Sequence, residues 1–317
     1  MAFTEFYTNA STGSNINAGD LTANGVVTST NGGWSTVTNI FTAASGTPFS
    51  GVSVGDFASV YTDGATVTGY IGRVTAVGGS GATLTISSTA KSGTAPTTAG
   101  TGISCTTGGA WKGPNGTSNF PFGFITSAMT NSTGNEPCVN MKSGTDYSVT
   151  ASIAHSLAGN VTFYGYTSTV RDGGRAAIDG GTSGASYTLM NMTGTDTHFF
   201  NLEIKNNGAT GSATGFFLSG AGTYAKGVVV HDVRGVGIDI TSGLIESCEA
   251  YACNQSNTAS TGGIRANTNG IVQNCISHDN TGSNSCGFTT SSGSNTRSDL
   301  HNCIADSNGS QDRKSVV

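Results

Sequence analysis

The sequence predicts an all-β chain: a right-handed parallel β-helix with three short strands per coil, preceded by a small antiparallel β domain. Three observations carry this. First, the stretch from Phe199 to Asn308 repeats, with steps of 26, 20, 27 and 28 residues between anchors at Leu202, Val228, Cys248, Cys275 and Cys303. Second, small or apolar residues recur at fixed offsets from each anchor. Third, one position per repeat is Asn, Gly or Ser. Self-similarity at a period of about 20–50 residues marks a solenoid.

The repeat is visible in FFNLEIKNN (199–207), KGVVVHDV (226–233), LIESCEAYACN (244–254), IVQNCISHDN (271–280) and DLHNCIADSN (299–308). The anchor and the residue two places on pair as Leu202/Ile204, Val228/Val230, Cys248/Ala250, Cys275/Ser277 and Cys303/Ala305. Alternation of period two predicts a short strand facing inward at those positions. Another apolar column, Phe199, Ala225, Ile245, Val272 and Leu300, stands three places before the anchor. A spacing of three breaks the alternation, so the backbone bends between them. The bend falls on Asn201, Gly227, Ser247, Asn274 and Asn302, and Asn and Gly adopt positive φ most readily. A third strand opens with Gly and a hydrophobe: Gly215-Phe216, Gly237-Ile238, Gly263-Ile264 and Gly287-Phe288.

These residues resemble the pectate-lyase-like superfamily of β-helices, with its Asn corner and inward Cys, Ile and Val ladders. NVTFYGYTSTVRDGGRAAIDGG (160–181) resembles the early coils of that superfamily, and FITSAMTNSTGNEPCVNMKSGTDYSV (124–149) its short capping helix and first coil. TGSNINAG (12–19) is similar to a leader before the cap. The resemblance implies fold, since one fold hosts many functions.

The expected order is a leader strand in 1–20, the antiparallel domain in 21–110, and the β-helix with its capping helix in 111–310. Within 51–90, strong alternation and the turn clusters TDGA and GGSGA predict strands near 57–62, 68–77 and 82–88, forming a compact barrel. KSGTAPTTAGTG (91–102) reads as a linker or surface loop. Such a unit serves docking, oligomerisation or capping. The chain ends Asp312-Arg313-Lys314-Ser315-Val316-Val317 in mid-solenoid. A common sequencing-adapter read translates into those six residues and a stop. Residues 311–317 are therefore expected to be a non-native tail on a truncated environmental or phage-type gene.

Only 10% of residues are charged and the net charge is −5, without a Lys/Arg stripe, which argues against nucleic acid and anionic membranes as partners. No apolar run of about 18 residues predicts a membrane helix, and MAFTEFYTNAST lacks the basic start and apolar stretch of a signal peptide. An extracellular or virion setting without a signal peptide fits a protein assembled in the cytoplasm. The seven cysteines, Cys105, Cys138, Cys248, Cys253, Cys275, Cys286 and Cys303, are odd in number and follow the coils, so they read as small buried hydrophobes. Several Asn-x-Ser/Thr sequons (Asn115, Asn131, Asn160, Asn191, Asn254) are expected by composition alone. His155 and His198 read as structural residues. Arg171 in the Gly-rich turn 171–175 is expected to brace Asp172 or Asp179.

The outward column of the Gly-hydrophobe strand reads Phe217, Asp239, Arg265 and Thr289. Asp239 and Arg265 fall on adjacent coils and are expected to pair. The turn after the anchor strand supplies His231-Asp232 and, two coils on, His278-Asp279, expected beside that pair. Candidate catalytic residues are Asp239, Arg265, Asp232, His278 and Asp279; candidate ligand contacts are Phe217, Asp239, Arg265 and Tyr251, the aromatics stacking on sugar rings. A lyase of this shape needs clustered carboxylates for Ca2+ and an Arg or Lys base; a glycosidase needs two carboxylates about 5–10 Å apart. The paired-Asp, Gly-His-Gly and Arg-x-Lys segments of the resembled enzymes are absent. The first expectation is therefore a non-catalytic fibre, spike or adhesin, without metal or cofactor, presenting a Ser/Thr/Asn-rich face to a polysaccharide or cell-surface glycan. The alternative is a polysaccharide lyase, with Ca2+, or a glycoside hydrolase. Phe217, apolar yet outward, is expected to contact a glycan or another subunit of a homotrimer.

Overall fold

A computed structural model describes residues 3–8, 26–65, 70–93, 96, 100–108, 136–155, 161–256, 262–282, 285–290 and 298–309. Among them every regular element is a strand. The expected capping helix before residue 136, the 12–19 segment and the tail 311–317 lie outside the described residues. Contacts divide the chain into two compact units.

The first unit begins with β1 (Phe3–Thr8). Six strands follow: β2 (Val27–Ser35), β3 (Ile40–Thr42), β4 (Phe57–Thr62), β5 (Tyr70–Gly78), β6 (Thr83–Gly93) and β7 (Gly100–Thr107). They close an antiparallel barrel in the order β2-β3-β6-β5-β4-β7. Its core holds Trp34 against Tyr70 and Phe41 edge-on to Phe49, with Val60, Val74, Leu84 and Ile86. The three expected barrel strands are present; of the expected linker or surface loop (91–102) both ends are strand, and residues 94, 95 and 97–99 lie outside the described residues. β6 runs on to Gly93, and β7 starts at Gly100 and pairs with both β2 and β4, which closes the barrel. Polar composition hid β7. Its Thr106 is fully buried, and the hydroxyl is satisfied by Thr28 and Tyr61, each at 2.9 Å.

The unit ends with β8 (Glu136–Lys142), which pairs in parallel with β1 from Phe3↔Glu136 to Thr8↔Met141. The barrel is thus inserted in the chain between two paired strands. Phe6 of β1 packs on Phe57 of β4, ring centroids 5.1 Å apart, and Asn140 of β8 donates to the Phe6 carbonyl at 3.2 Å. Contacts group β1, and β8 as far as Met141, with the barrel.

The second unit is a parallel β-solenoid of about six turns. It opens with β9 (Tyr147–Ser148) and β10 (Ile153–His155). The next two coils are β11 (Val161–Tyr166), β12 (Ala176–Asp179) and β13 (Met190–Met192), then β14 (Thr197–Phe200), β15 (Leu202–Lys205) and β16 (Phe216–Leu218). β17 (Tyr224–Lys226), β18 (Val229–His231), β19 (Ile238–Glu246), β20 (Glu249–Tyr251), β21 (Gly262–Gln273) and β22 (Ile276–His278) follow. β23 (Cys286–Thr290), β24 (Asp299–His301) and β25 (Ile304–Asp306) complete it. β9, β12, β15, β18, β20, β22 and β25 stack as one sheet. β19 and β21 are long enough to serve two strand lines at once, so the other two lines join.

The expected inward columns are inward. Leu202, Val228, Cys248, Cys275 and Cys303 are buried, as are Ile204, Val230, Ala250, Ser277 and Ala305. Cys248 donates its amide to Cys275 Sγ at 3.4 Å, and all seven cysteines are free thiols. Phe163 stacks on Phe199 (5.2 Å), which meets Phe216 edge-on (5.0 Å). The bend column adopts positive φ at Asn201, Gly227, Ser247, Asn274 and Asn302 (φ 49–65°). A second left-handed column lies after the anchor strand, at Asn206, Asp232, Ala252, Asp279 and Ser307 (φ 48–53°). The residues just beyond it, Asn207, Val233, Cys253, Asn280 and Asn308, point inward and are buried. Here polar side chains satisfy the backbone: the Asn280 side chain accepts from Cys253 N (3.0 Å) and donates to Ser277 Oγ (3.1 Å).

Candidate functional site

The outer face of β15, β18, β20 and β22 carries a ladder. Register places Lys205, His231, Tyr251, His278 and Asp306 in one outward column, and Glu203, Val229, Glu249, Ile276 and Ile304 in the next. His231 and Tyr251 stack at 4.7 Å and 2°, and Tyr251 and His278 at 5.2 Å and 13°. Side chains of consecutive strand residues point to opposite faces. The left-handed turn at Asp232 and Asp279 breaks that rule and swings each carboxylate beside the preceding imidazole. His231 Nδ1 lies 2.7 Å from Asp232 Oδ2, and His278 Nδ1 lies 2.7 Å from Asp279 Oδ2. The other nitrogens meet glutamates of the preceding coils: His231 Nε2 to Glu203 at 3.1 Å and His278 Nε2 to Glu249 at 2.9 Å.

Two identical His–Asp–Glu units therefore stand two coils apart, with Tyr251 between them. Burial works against the His278 imidazolium, but hydrogen bonds to Glu249 and Asp279 outweigh it and hold His278 above the ordinary histidine pKa. Lys205 closes one end, 2.8 Å from Asp146 and 3.5 Å from Glu203.

The second candidate group lies on the other sheet. Phe217, Asp239, Arg265 and Thr289 are in register as expected, and Arg265 Nη2 donates to Asp239 Oδ2 at 2.5 Å. Asn267 Nδ2 adds a bond to Asp239 Oδ1 at 2.6 Å. The Asp239 side chain is only 3% exposed, against 34% for Arg265. The hydrogen bond to Asp239 raises the Arg265 pKa. This is a clamp between β19 and β21, with the carboxylate enclosed by its own partners.

The structure thus divides the expected site. Asp232, His278, Asp279 and Tyr251 share one face; Phe217, Asp239 and Arg265 lie on strands of the other sheet. Three expectations need correction. Asp239 is buried rather than displayed, because Arg265 and Asn267 cover it. Phe217 is half-buried, flanked in register by Asn191 and Asp239, rather than a freely exposed ring. Tyr251 has imidazoles on both faces, so neither face is open for sugar stacking and only its rim faces outward. Glu203, Glu249 and Asn267 were missed. The available signal was a Glu one place after the anchor, one coil before each His-Asp pair.

Elsewhere, Asp172 accepts from the amides of Thr167, Ser168, Thr169 and Gly174, which hold its carboxyl well below the usual range; it is the centre of a turn. Asp179 accepts from Asn206 and the Gly181 amide. Among the described residues no group of three or more His, Cys, Asp or Glu side chains is arranged to hold a metal ion. No helix among them is long and apolar enough to cross a membrane.

Comparison of the chain with protein-family models, with curated proteins and with solved structures returns no match.

Proposed function

We propose that this chain is a non-catalytic surface β-solenoid, of fibre, spike or adhesin type, that presents the β18–β20–β22 face to glycans outside the cell or on a virion. Membership of the pectate-lyase-like superfamily is part of the same proposal and rests on the Asn, Cys and Gly columns. The observation that carries the reading is the pair of His–Asp–Glu units on one outward face. Each fixes two carboxylates in position by hydrogen bonds. Ionised carboxylates are acceptors only, with several lone-pair directions each, and sugar hydroxyls are the donors that fit a fixed row of them. Surface ion pairs contribute about 0–1 kcal/mol to stability, so two repeated units are better explained by a ligand than by folding. Beside the ladder, Ile276 and Ile304 are 40% and 44% exposed in one column and form the strip that a homotrimer would cover.

A glycan array probed with the purified chain tests this. Binding is expected, and it should fall at least about tenfold in Asp232→Asn/Asp279→Asn. No signal from the folded native chain refutes the reading. A lyase or hydrolase would instead release unsaturated products or new reducing ends from a polysaccharide panel. The carboxylates of the ladder are each engaged by an imidazole instead of facing one another across an acid–base gap.

A further inference from the structure

The same ladder sorts glycans by charge, an inference that rests on the glycan-binding reading above. Glu203, Asp232, Glu249 and Asp279 stand along it, and Asp306 follows His278 in register. The cations on this face are few. Lys205 is held between Asp146 and Glu203. Each imidazole lies between two carboxylates, so every His–Asp–Glu unit keeps a negative excess whether or not its ring is protonated. Arg175 acts on Tyr251 from farther off. Burial, followed by the charges of Glu203, Asp232 and Glu249, pushes the Tyr251 phenol up, as expected at the centre of an anionic strip.

The spacing adds a second constraint. Parallel strands stack about 4.8 Å apart, so the two units lie about 10 Å apart along the solenoid axis. One coil step is close to the length of one pyranose ring in an extended chain, so two coils match a disaccharide. An anionic, acceptor-only row favours ammonium and hydroxyl donors and repels carboxylates.

We infer that this face binds a linear glycan bearing free amino groups, a deacetylated hexosamine polymer, laid along the solenoid axis with alternate sugars at the two His–Asp–Glu units. The row thus selects against the uronic-acid polymers that the superfamily resemblance would suggest.

Titration calorimetry of the native chain tests the inference with four hexamers: β-1,4-linked glucosamine, its fully N-acetylated form, galacturonate, and a lysine hexapeptide. The pH is kept where the amines are charged. The amine hexamer is expected to bind at least about tenfold more tightly than the other three, a difference of about 1.4 kcal/mol, and the preference should shrink with added salt. Glu203→Gln/Glu249→Gln, which keeps shape and removes charge, should lose the preference while still binding the acetylated hexamer. Equal or tighter binding of the acetylated or galacturonate hexamer overturns charge selection and leaves the glycan reading standing. Equal binding of the lysine peptide reduces the face to a general acidic strip and also overturns it. Failure of every hexamer to bind defeats both readings. The ranking is read on the native chain, so it does not depend on any variant folding.

Discussion

Replacing Arg265 by Ala tests whether the Asp239 clamp is a structural element. Asp239 receives two hydrogen bonds, from Arg265 at 2.5 Å and Asn267 at 2.6 Å, and its side chain is 3% exposed. Hydrogen bonds to a charged group contribute about 1.5–3 kcal/mol each. Arg265→Ala leaves the enclosed carboxylate with Asn267 alone. Removing one partner of a buried pair costs about 3–5 kcal/mol. Arg265 is itself one-third exposed, so water recovers part of that, and about 2–3 kcal/mol is expected. Asp239→Ala should cost less, about 1–2 kcal/mol, because the freed guanidinium can reach solvent. The double variant should cost less than the two singles together, with a coupling of about 1–2 kcal/mol. Urea denaturation followed by far-UV circular dichroism gives these values. Hydrogen exchange across Gly237–Ala266 locates the loss, since solenoid coils are stabilised mainly by their neighbours. An Arg265→Ala cost below about 0.5 kcal/mol, or strict additivity, would refute the clamp and reopen the pair as a surface site.

Cys275→Asp places an unpaired carboxylate in the buried cysteine ladder and should melt the adjoining coils, at a cost of several kcal/mol; a native-like exchange pattern for β20–β25 would contradict the packing. The His278 ring should titrate above 6.5 by NMR, and Glu249→Gln should lower it. Because the folded-state value is raised, its stabilisation is full below 6.5 and is lost as pH rises through the folded value; a ring titrating at or below 6.5 denies the two-carboxylate geometry. Asn280→Ala leaves the buried Cys253 amide and Ser277 hydroxyl short of a partner and should cost about 2–4 kcal/mol in denaturation. Phe217→Ser, on the sheet that does not carry the ladder, should leave both the array signal and the assembly state in light scattering unchanged; a lost array signal with retained assembly would contradict the proposed glycan face.

The solenoid was legible because its inward columns obey one simple rule: apolar or small at fixed offsets, with Asn, Gly or Ser at the first corner. The second corner obeys no such rule. Asn206, Asp232, Ala252, Asp279 and Ser307 share a left-handed backbone but little chemistry, and Ala252 adopts it at φ 48° despite its Cβ. The column behind it mixes Asn207, Asn280 and Asn308 with Val233 and Cys253. An inward Asn is acceptable only where amides and carbonyls await it, as the Ala213 carbonyl and Arg234 amide await Asn207. One partner lies on the same coil and the other, Arg234, on the next, and apolar periodicity reveals neither. β7 was hidden for a related reason, its Thr106 being held in the interior by hydroxyl pairs with Thr28 and Tyr61 rather than by hydrophobicity.

The second corner also explains why the expected site came apart into two. Asp232 and Asp239 are separated by a few residues, so proximity in sequence suggested proximity on one surface. The corner at Asp232 turns the chain off one sheet, and the next strand, β19, belongs to the other. In a solenoid, neighbours on a surface are set by register between coils. Glu203 therefore meets His231 across 28 positions, and Glu249 meets His278 across 29. Surface chemistry of such a fold is read down columns of the repeat, where glutamate, histidine and aspartate recur at matching offsets two coils apart. That recurrence is what separates the ladder from scattered surface charge: a lone His–Asp contact is an ordinary turn, whereas the same three groups repeated along the axis form a surface with a period.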